Sequence, residues 1–307
     1  MGVELAKLPK MKRRRITRSA VDQALAGYLF VLPALASLVI FLLGPIIYSF
    51  YISFQHFNYL DPQAATWAGL DNYLHLFVDP VFLQALWNTS LYTLIVVPVQ
   101  TALSLFLALI VERIRGKSFF RVAYYLPSVT SSVAVSVMFV FIFGQTGLLN
   151  NFLSIFGIQG PNWLNNPSTA LLAVMMIGVW TTVGQFMIIY LSGLQSIPED
   201  VYEAASIDGA GGVSMLRYIT VPLLRRTTFL IVVMGMIGTF QLFDTVDVIS
   251  NGQGGPIGST MTVVLDIFNK AFRDMAMGYA AAMSFFLFVI ILILTLIQNF
   301  VLGRENQ

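Results

Sequence analysis

The 307-residue chain has no cysteine, and Asp, Glu, Lys and Arg together make up only 10% of it. Without cysteine there are no disulfides, no thiolate zinc site and no thiol nucleophile. The two histidines, His56 and His75, fall in one connection and are too few to form a metal centre alone. Soluble domains carry about 25% charged residues. The scarcity of charge, with 57% hydrophobic residues and a mean hydropathy of +0.78, therefore excludes an ordinary soluble fold. The long apolar stretches lack strict apolar–polar alternation, which excludes a transmembrane β-barrel. They also contain no His/Glu metal spacing and no Ser–Lys or Ser–His constellation, which argues against an intramembrane enzyme.

Six apolar runs are each long enough to cross about 30 Å of hydrocarbon as helix. They span Gly27–Ile52, Leu86–Val111, Val122–Phe143, Ala170–Leu191, Thr227–Val248 and Tyr279–Leu302. The expectation is an all-α polytopic membrane protein with six transmembrane helices: a basic segment over residues 1–26, a membrane domain over 27–302 and a short tail over 303–307. The first apolar run is too long for the hydrophobic part of a cleavable signal peptide, and no small-x-small cleavage site closes it.

Charge distribution sets the expected orientation. The N-terminal segment carries Lys7, Lys10, Lys12, Arg13, Arg14, Arg15 and Arg18. The second-to-third connection carries Arg113, Arg115, Lys117 and Arg121; the fourth-to-fifth carries Arg217, Arg225 and Arg226, and the tail Arg304. Fifteen of the 17 basic residues thus fall on one side, and only Lys270 and Arg273 on the other. Both termini and the fourth-to-fifth connection are predicted to be cytoplasmic. The run Lys10–Arg18 reads as a membrane anchor, not a nucleic-acid patch. Of the outer connections, Gly144–Thr169 is uncharged, and Ser259–Arg273 has helical amphipathicity expected of a short helix at the membrane interface.

The cytoplasmic connection, residues 192–226, holds the most informative segment: Glu203-Ala204-Ala205-Ser206-Ile207-Asp208-Gly209-Ala210, then Ile219-Thr220-Val221-Pro222. Ser196-Ile197-Pro198-Glu199 has capping-box spacing, with Glu199 and Asp200 at the favourable end of the helix dipole. Val201, Ala204 and Ala205 share one helical face, small enough for another backbone to approach. Gly209 can take the left-handed conformation that stops a helix, and Gly211 and Gly212 allow a change of direction. The pattern specifies a bent helix–Gly–helix element rather than a slack tether, and a stiff element transmits displacement.

This order of residues closely resembles the EAA coupling loop of permease subunits in binding-protein-dependent ABC importers. It is more specific than a generic amphipathic loop helix. Arg225 stands where many members have proline. Along the rest of the chain, Tyr125-Leu126-Pro127, Gly147-Leu148-Leu149-Asn150, Trp180, Gly254-Gly255-Pro256 with Ser259-Thr260, Ala271-Phe272 and Gly278-Tyr279-Ala280-Ala281-Ala282 resemble the carbohydrate-uptake branch. Their order is similar to the first permease subunit of maltose- and glycerol-phosphate-type systems.

The resemblance implies a non-enzymatic transport subunit in a bacterial or archaeal plasma (inner) membrane. Its implied partners are a second homologous permease, an ATPase dimer that binds ATP and magnesium, an extracytoplasmic solute-binding protein and the lipid bilayer, with no nucleic acid. Glu203 is then the polar contact, Ala204 and Ala205 the close-packing face, Gly209 the bend, and Asp208 and Pro222 complete the loop. No cofactor is expected in this chain. Gly116-Lys117-Ser118 is a fragment of a phosphate loop, but position 111 is Val111 where that motif needs glycine.

Within the spans, Asp244 and Asp247 are the exceptional charges, three residues apart on one face. Each either faces a cavity or meets interfacial water near the end of its span. Phe240, Gln241 and Asp244 offer an aromatic face, an amide and a hydroxyl acceptor suited to sugar. Trp180, Thr181 and Gln185, with Asn88 and Gln100, either extend that path or pair between helices. The cluster of Ser128, Thr130, Ser131, Ser132 and Ser136 after Pro127 reads as close helix packing at a kink. The turn Asn251–Pro256, with Gly254, Gly255 and Pro256, is the expected receptor-docking loop. The expected substrate is a sugar or oligosaccharide, with glycerol-phosphate or polyamine as the alternative. An autonomous ion-coupled transporter is disfavoured because the spans lack the buried ionisable groups it needs.

Overall fold

The computed structural model describes residues Arg18–Gly303, with side chains described from Gly27 to Phe300. The expected basic anchor before Arg18 and the tail beyond Gly303 lie outside the described residues. The chain divides into two units after Tyr51.

The first unit is a single apolar helical run: α1 (Arg18–Leu38), a π-helical turn over Val39–Leu43, and α2 (Gly44–Ile52), which ends at the unit boundary. Its membrane-length portion, Gly27–Ile52, has a mean hydropathy of 2.5. Pro33 lies within α1, and the Ser37 hydroxyl donates to the Pro33 carbonyl at 3.0 Å.

The second unit opens on a two-stranded antiparallel hairpin, β1 (Gln55–Asn58) and β2 (Asp61–Trp67), pairing Gln55 with Trp67 and His56 with Thr66. The sequence pattern predicts only a connection there. Asn72, on the short α3 (Asp71–His75), anchors the hairpin by donating its amide to the Ser53 and Gln55 carbonyls, both at 2.9 Å. The long helix α4 (Pro80–Arg113) follows. Its N-cap is Asp79, whose carboxylate accepts from Val81 N at 2.9 Å, and Pro80 occupies the first turn, where its missing N–H costs nothing.

The third predicted span is two helices, α5 (Lys117–Val129) and α6 (Ser132–Ile142), bent by 95°. A single helix over Val122–Phe143 is therefore corrected to a broken one. Pro127 has no amide to donate, and Thr130 and Ser131 are extended. The freed carbonyls are taken by neighbouring hydroxyls: Ser128 Oγ donates to Tyr125 O at 2.7 Å and Thr130 Oγ1 to Leu126 O at 2.8 Å. Away from water such local donors make a break tolerable. Neither half alone reaches across about 30 Å of hydrocarbon.

After α7 (Leu148–Ile155), where Asn150 ties the turn together by accepting from Trp163 Nε1 at 2.8 Å, comes α8 (Pro167–Gln195). Glycines let α8 touch its neighbours closely. A Cβ at Gly178 would overlap the Tyr92 hydroxyl of α4, and one at Gly184 the Tyr124 carbonyl of α5. Close backbone approach of this kind substitutes for the hydrophobic effect that lipid-embedded helices lack. Polar pairs add to it. Thr182 donates to Gln100 Oε1 at 2.7 Å, and the hydroxyls of Tyr190 and Thr228 meet at 3.0 Å. Gln100, offered by sequence as a path residue, is 1% exposed and serves as a helix-pairing group.

The chain continues through α9 (Glu199–Ile207), α10 (Gly212–Met215), a π-helical turn over Leu216–Thr220 and α11 (Val221–Leu223) into α12 (Arg225–Phe240). The fifth span is interrupted at Gln241–Phe243 before α13 (Asp244–Ser250). Thr262 Oγ1 donates to the Leu242 carbonyl at 2.9 Å, occupying an acceptor that the interruption exposes.

Next is α14 (Val263–Phe272), then α15 (Met277–Gly303). The polar face of this amphipathic helix is turned partly into the protein. Val263, Leu265 and Ala271 are buried, Asp266 is 1% exposed and Phe272 is 55% exposed. Val263 N donates to Thr89 Oγ1 of α4 at 3.1 Å, which pins its start. Among the described residues, five helical runs are long and apolar enough to cross a membrane, or six if α5 and α6 count as one.

Candidate functional site

The connection between α8 and α12 is built as a rigid bent foot. Ser196 does not open a capping box. Its hydroxyl turns back to donate to Gly193 O at 2.7 Å, closing α8, while Pro198 stands at the N-cap of α9 without a side-chain cap. Glu199 and Asp200 occupy the first turn as expected. At the other end, Gly209 N donates to Ser206 O at 3.1 Å and Ala210 N to Ala205 O at 2.9 Å. This pair of bonds is a Schellman motif, and it requires the left-handed φ of +83° that Gly209 adopts. Ser214 Oγ then accepts from Gly211 N at 3.0 Å and donates to Gly211 O at 2.8 Å, stiffening the second bend.

The faces of this foot are distinct. Ala205 is 8% exposed and faces inward, whereas Glu203, Ala204, Asp208 and Gly209 are exposed. The close-packing pair expected of Ala204 and Ala205 is thus split between the two faces. Ile207 is 87% exposed and Val213 79%, with Tyr218 also exposed, so the foot carries apolar side chains on its outer surface. Pro222 sits in α11, and Leu224 beyond it is buried with Ala108, Val111, Tyr190, Leu191 and Leu194. The foot therefore rests on the ends of α4 and α8. A cavity of about 440 Å³ beneath it is lined in part by Glu112, Arg113, Glu199 and Tyr202.

A second, smaller cavity of about 200 Å³ lies at the α5–α6 break. Ser128, Thr130, Ser132, Thr181, Thr182, Gln185 and Thr245 line it, with Pro127 and Val135. Of the serine and threonine cluster, Ser128, Thr130 and Ser132 reach this cavity, whereas Ser136 is buried and donates back to the Ser132 carbonyl, as packing at a kink requires. Gln185 and Thr245, the neighbour of Asp244, meet here. Trp180 lies outside the lining and packs edge-on against Phe139 at 5.3 Å. Phe240 is 4% exposed in a cluster with Leu76, Phe82, Met236, Val263 and Met283, so it is a core residue and not a sugar platform. Gln241 and Asp244 are exposed. Asp247 instead pairs with Arg273 at 3.8 Å, and Arg273 Nη1 donates to Gly252 O at 2.8 Å, which fixes the end of α13 against α14.

The predicted docking turn follows. Gly254 and Gly255 take φ of +75° and +70°, and Ile257 takes +55°, which a β-branched residue adopts only under constraint. The constraint is visible. Gln84 Nε2 donates to Ile257 O at 2.9 Å and Asn88 Nδ2 to Gly258 O at 2.8 Å, so α4 holds the turn from below. Asn88 thus supports the loop and does not line a path. Ile257 is 85% exposed at the tip. A cavity of about 290 Å³ beside the turn includes Gly255 and Pro256 in its lining.

A polar cluster that sequence reasoning did not find joins α4, α14 and α15. Tyr279 donates its hydroxyl to Asp79 Oδ2 at 2.9 Å. Burial pushes the Asp79 carboxyl up, but the hydrogen bonds from Tyr279, Val81 and Phe82 outweigh it and hold the group below the usual carboxylate range. Asp266 is pushed up to about 6 by burial and by the charge of Asp79. Burial pulls Lys270 down, but the Asp274 carboxylate at 3.1 Å wins and raises it. The spacing of Asp266 and Lys270 was legible; their burial depends on contacts with distant segments. Among the described residues, no group of three or more His, Asp or Glu side chains could hold a metal ion.

Comparison with known proteins matches residues 100–305 to the family described as binding-protein-dependent transport system inner membrane component. A probable ABC transporter permease protein, YesP of Bacillus subtilis, is 38% identical over 92% of this chain and 91% of its own length. The lactose transport system permease protein LacF of Rhizobium radiobacter is 36% identical over 92% of this chain and 95% of its own. Among solved structures, a bacterial alginate ABC transporter in complex with an alginate pentasaccharide-bound periplasmic protein superposes with a TM-score of 0.81. That match is 22% identical and covers 95% of this chain and 99% of that one, so it speaks for the fold. By sequence, fold and the matched segment together, the chain belongs to the inner membrane components of binding-protein-dependent transport systems.

Proposed function

We propose that this chain is the membrane-spanning subunit of an ATP-driven importer for a neutral sugar or oligosaccharide. It pairs with a second permease, receives its solute from an extracytoplasmic binding protein, and is driven by a separate ATPase dimer that carries the ATP and magnesium. The observation that carries the reading is the Schellman-closed foot, with Glu203 exposed and the apolar Ile207 exposed one helical turn on. A rigid helix pair anchored on the ends of two spans is suited to receive force and pass it to those spans. The charge bias of the connections supports a cytoplasmic position for this foot.

The solute class follows from chemistry and from relatives. The cavity at the α5–α6 break is walled by hydroxyls and one amide, with no Lys or Arg among its lining residues. Such a wall suits paired sugar hydroxyls better than a phosphate ester or a polyamine. Its side chains lie midway along α8, and the helix break beside it is where transporters of many folds place their solutes. Alternating access would proceed by rigid-body movement of helix groups around this point, with the foot as input.

The test is reconstitution with the co-purifying ATPase and receptor. Glu203→Lys and Gly209→Val are each expected to lower uptake at least tenfold and to weaken retention of the ATPase on the permease. Normal uptake by both variants would refute the assignment of the foot, and uptake by the purified chain alone would refute the importer reading.

A further inference from the structure

A hydroxyl group has one proton to donate and two lone pairs that accept. At the cavity of about 200 Å³ beside the α5–α6 break, four lining hydroxyls already direct that proton at the protein. Ser128 Oγ donates to Tyr125 O at 2.7 Å and Thr130 Oγ1 to Leu126 O at 2.8 Å. Thr181 Oγ1 reaches Ile177 O at 3.0 Å and Gly178 O at 2.9 Å. Thr182 Oγ1 reaches Gly178 O at 2.8 Å and Gln100 Oε1 at 2.7 Å. Thr181 and Thr182 thus have two acceptors each for a single proton, and none is left for a ligand. Turning the Thr130 proton outward would strand the Leu126 carbonyl, whose customary donor, Thr130 N, bonds to Pro127 O instead.

The four oxygens are within reach of a ligand. Thr130 is exposed, Ser128, Thr181 and Thr182 are half-buried, and all four residues line the cavity. Towards it they present lone pairs alone. The other polar side chains of the lining differ. Ser132, Gln185 and Thr245 make no side-chain hydrogen bond among the described residues, so each can donate as well as accept.

Resting on the sugar-importer reading and deepening it, we infer that this cavity selects its solute by hydrogen-bond polarity. It takes a saccharide ring whose hydroxyls donate to the oxygens of Ser128, Thr130, Thr181 and Thr182, while Ser132, Gln185 and Thr245 hold the lone pairs of the same ring. A ring hydroxyl suits both walls because it donates and accepts at once. A phosphate oxygen accepts only, and against four acceptors it gives up water without gaining a bond. An ammonium finds acceptors but no carboxylate in the lining to balance its charge. The space is smaller than the about 300–1,000 Å³ of most ligand pockets, which limits it to one ring at a time.

The test uses the assembled permease–ATPase complex in nanodiscs without receptor, so that the receptor's own selectivity does not enter. Saturation-transfer NMR gives apparent affinities for glucose, galactose and arabinose, and for their deoxy and fluorodeoxy analogues at each hydroxyl-bearing carbon. Uptake of the parent sugars by the full importer is measured in parallel. Fluorine keeps a weak acceptor and lacks the donor. At most ring positions the deoxy and fluorodeoxy analogues are therefore expected to bind equally weakly, at least threefold below the parent, the size of one neutral hydrogen bond. Thr181→Val and Thr182→Val keep the shape and remove one acceptor each. Each is expected to erase the deoxy penalty at one ring position and to leave it elsewhere. Fluorodeoxy analogues that bind like the parents would overturn the inference, because the wall would then be donating. Valine variants that leave every penalty in place, or that lower all affinities alike, would overturn it too. So would uptake without saturation transfer, which would place recognition in the receptor. Neither uptake nor transfer for any of the three sugars would overturn the sugar reading itself.

Discussion

Asp266 illustrates what a single side chain contributes here. It sits on α14 with 1% exposure, one carboxylate oxygen lacks a partner among the described residues, and Asp79, Lys270 and Asp274 act on it through their charges. Its folded pKa of about 6 lies above the ordinary carboxylate value of 3.8. The folded state therefore binds the proton more tightly than the unfolded state, and stability falls as pH rises between those values. Asp266→Asn is expected to raise the melting temperature by roughly 3 °C or more at pH 7.5, and the gain should vanish near pH 4. An equal gain at both pH values would show that packing, not ionisation, sets the effect. At this scale the sequence was only partly legible. Gly209 declares itself because the stop it makes depends on neighbours in the chain. Phe240, Asp266 and Thr260 do not, because their burial is decided by segments that are distant in sequence.

At the scale of elements, local rules were read correctly where the closing interactions are local. The stop at Gly209 and the second bend at Gly211–Gly212 need only bonds to residues three to five positions away. The capping box at Ser196 failed for a related reason: the same hydroxyl had an equally near carbonyl in the helix it was leaving. The 95° break between α5 and α6 was foreshadowed by Pro127 but not by hydropathy, since both halves are apolar. The β1–β2 hairpin escaped notice because Gln55–Trp67 shows no clear alternation, and its support comes from Asn72. Close packing of α8 on α5 depends on the missing side chain at Gly184, against the Tyr124 carbonyl. Gly184→Val should force α5 away and lower the melting temperature and the yield of folded protein in detergent, whereas Gly238→Ala, with open space around it, should not. Equal behaviour of the two variants would show that this approach does not set helix spacing.

For the whole molecule, orientation is the quantity on which function turns, and the charge pattern makes it testable. Gln84, near the start of α4, holds the Ile257 carbonyl, while Arg113 at its far end lines the cavity beneath α9. Twenty-nine residues of helix separate these two positions, about 43 Å, so Ile207 and Ile257 sit at opposite ends of a membrane-length helix. Both side chains are more than four-fifths exposed. Because the chain has no cysteine, Ile207→Cys and Ile257→Cys each introduce a single reporter thiol. A membrane-impermeant maleimide added to intact cells, or to spheroplasts where an outer membrane is present, is expected to label Ile257→Cys and to reach Ile207→Cys only after permeabilisation. Lys and Arg resist translocation, and the bias of fifteen to two is the basis of this expectation. Labelling of Ile207→Cys in unpermeabilised cells would put the foot on the side where no ATP is available, and coupling through Glu203 would then be impossible.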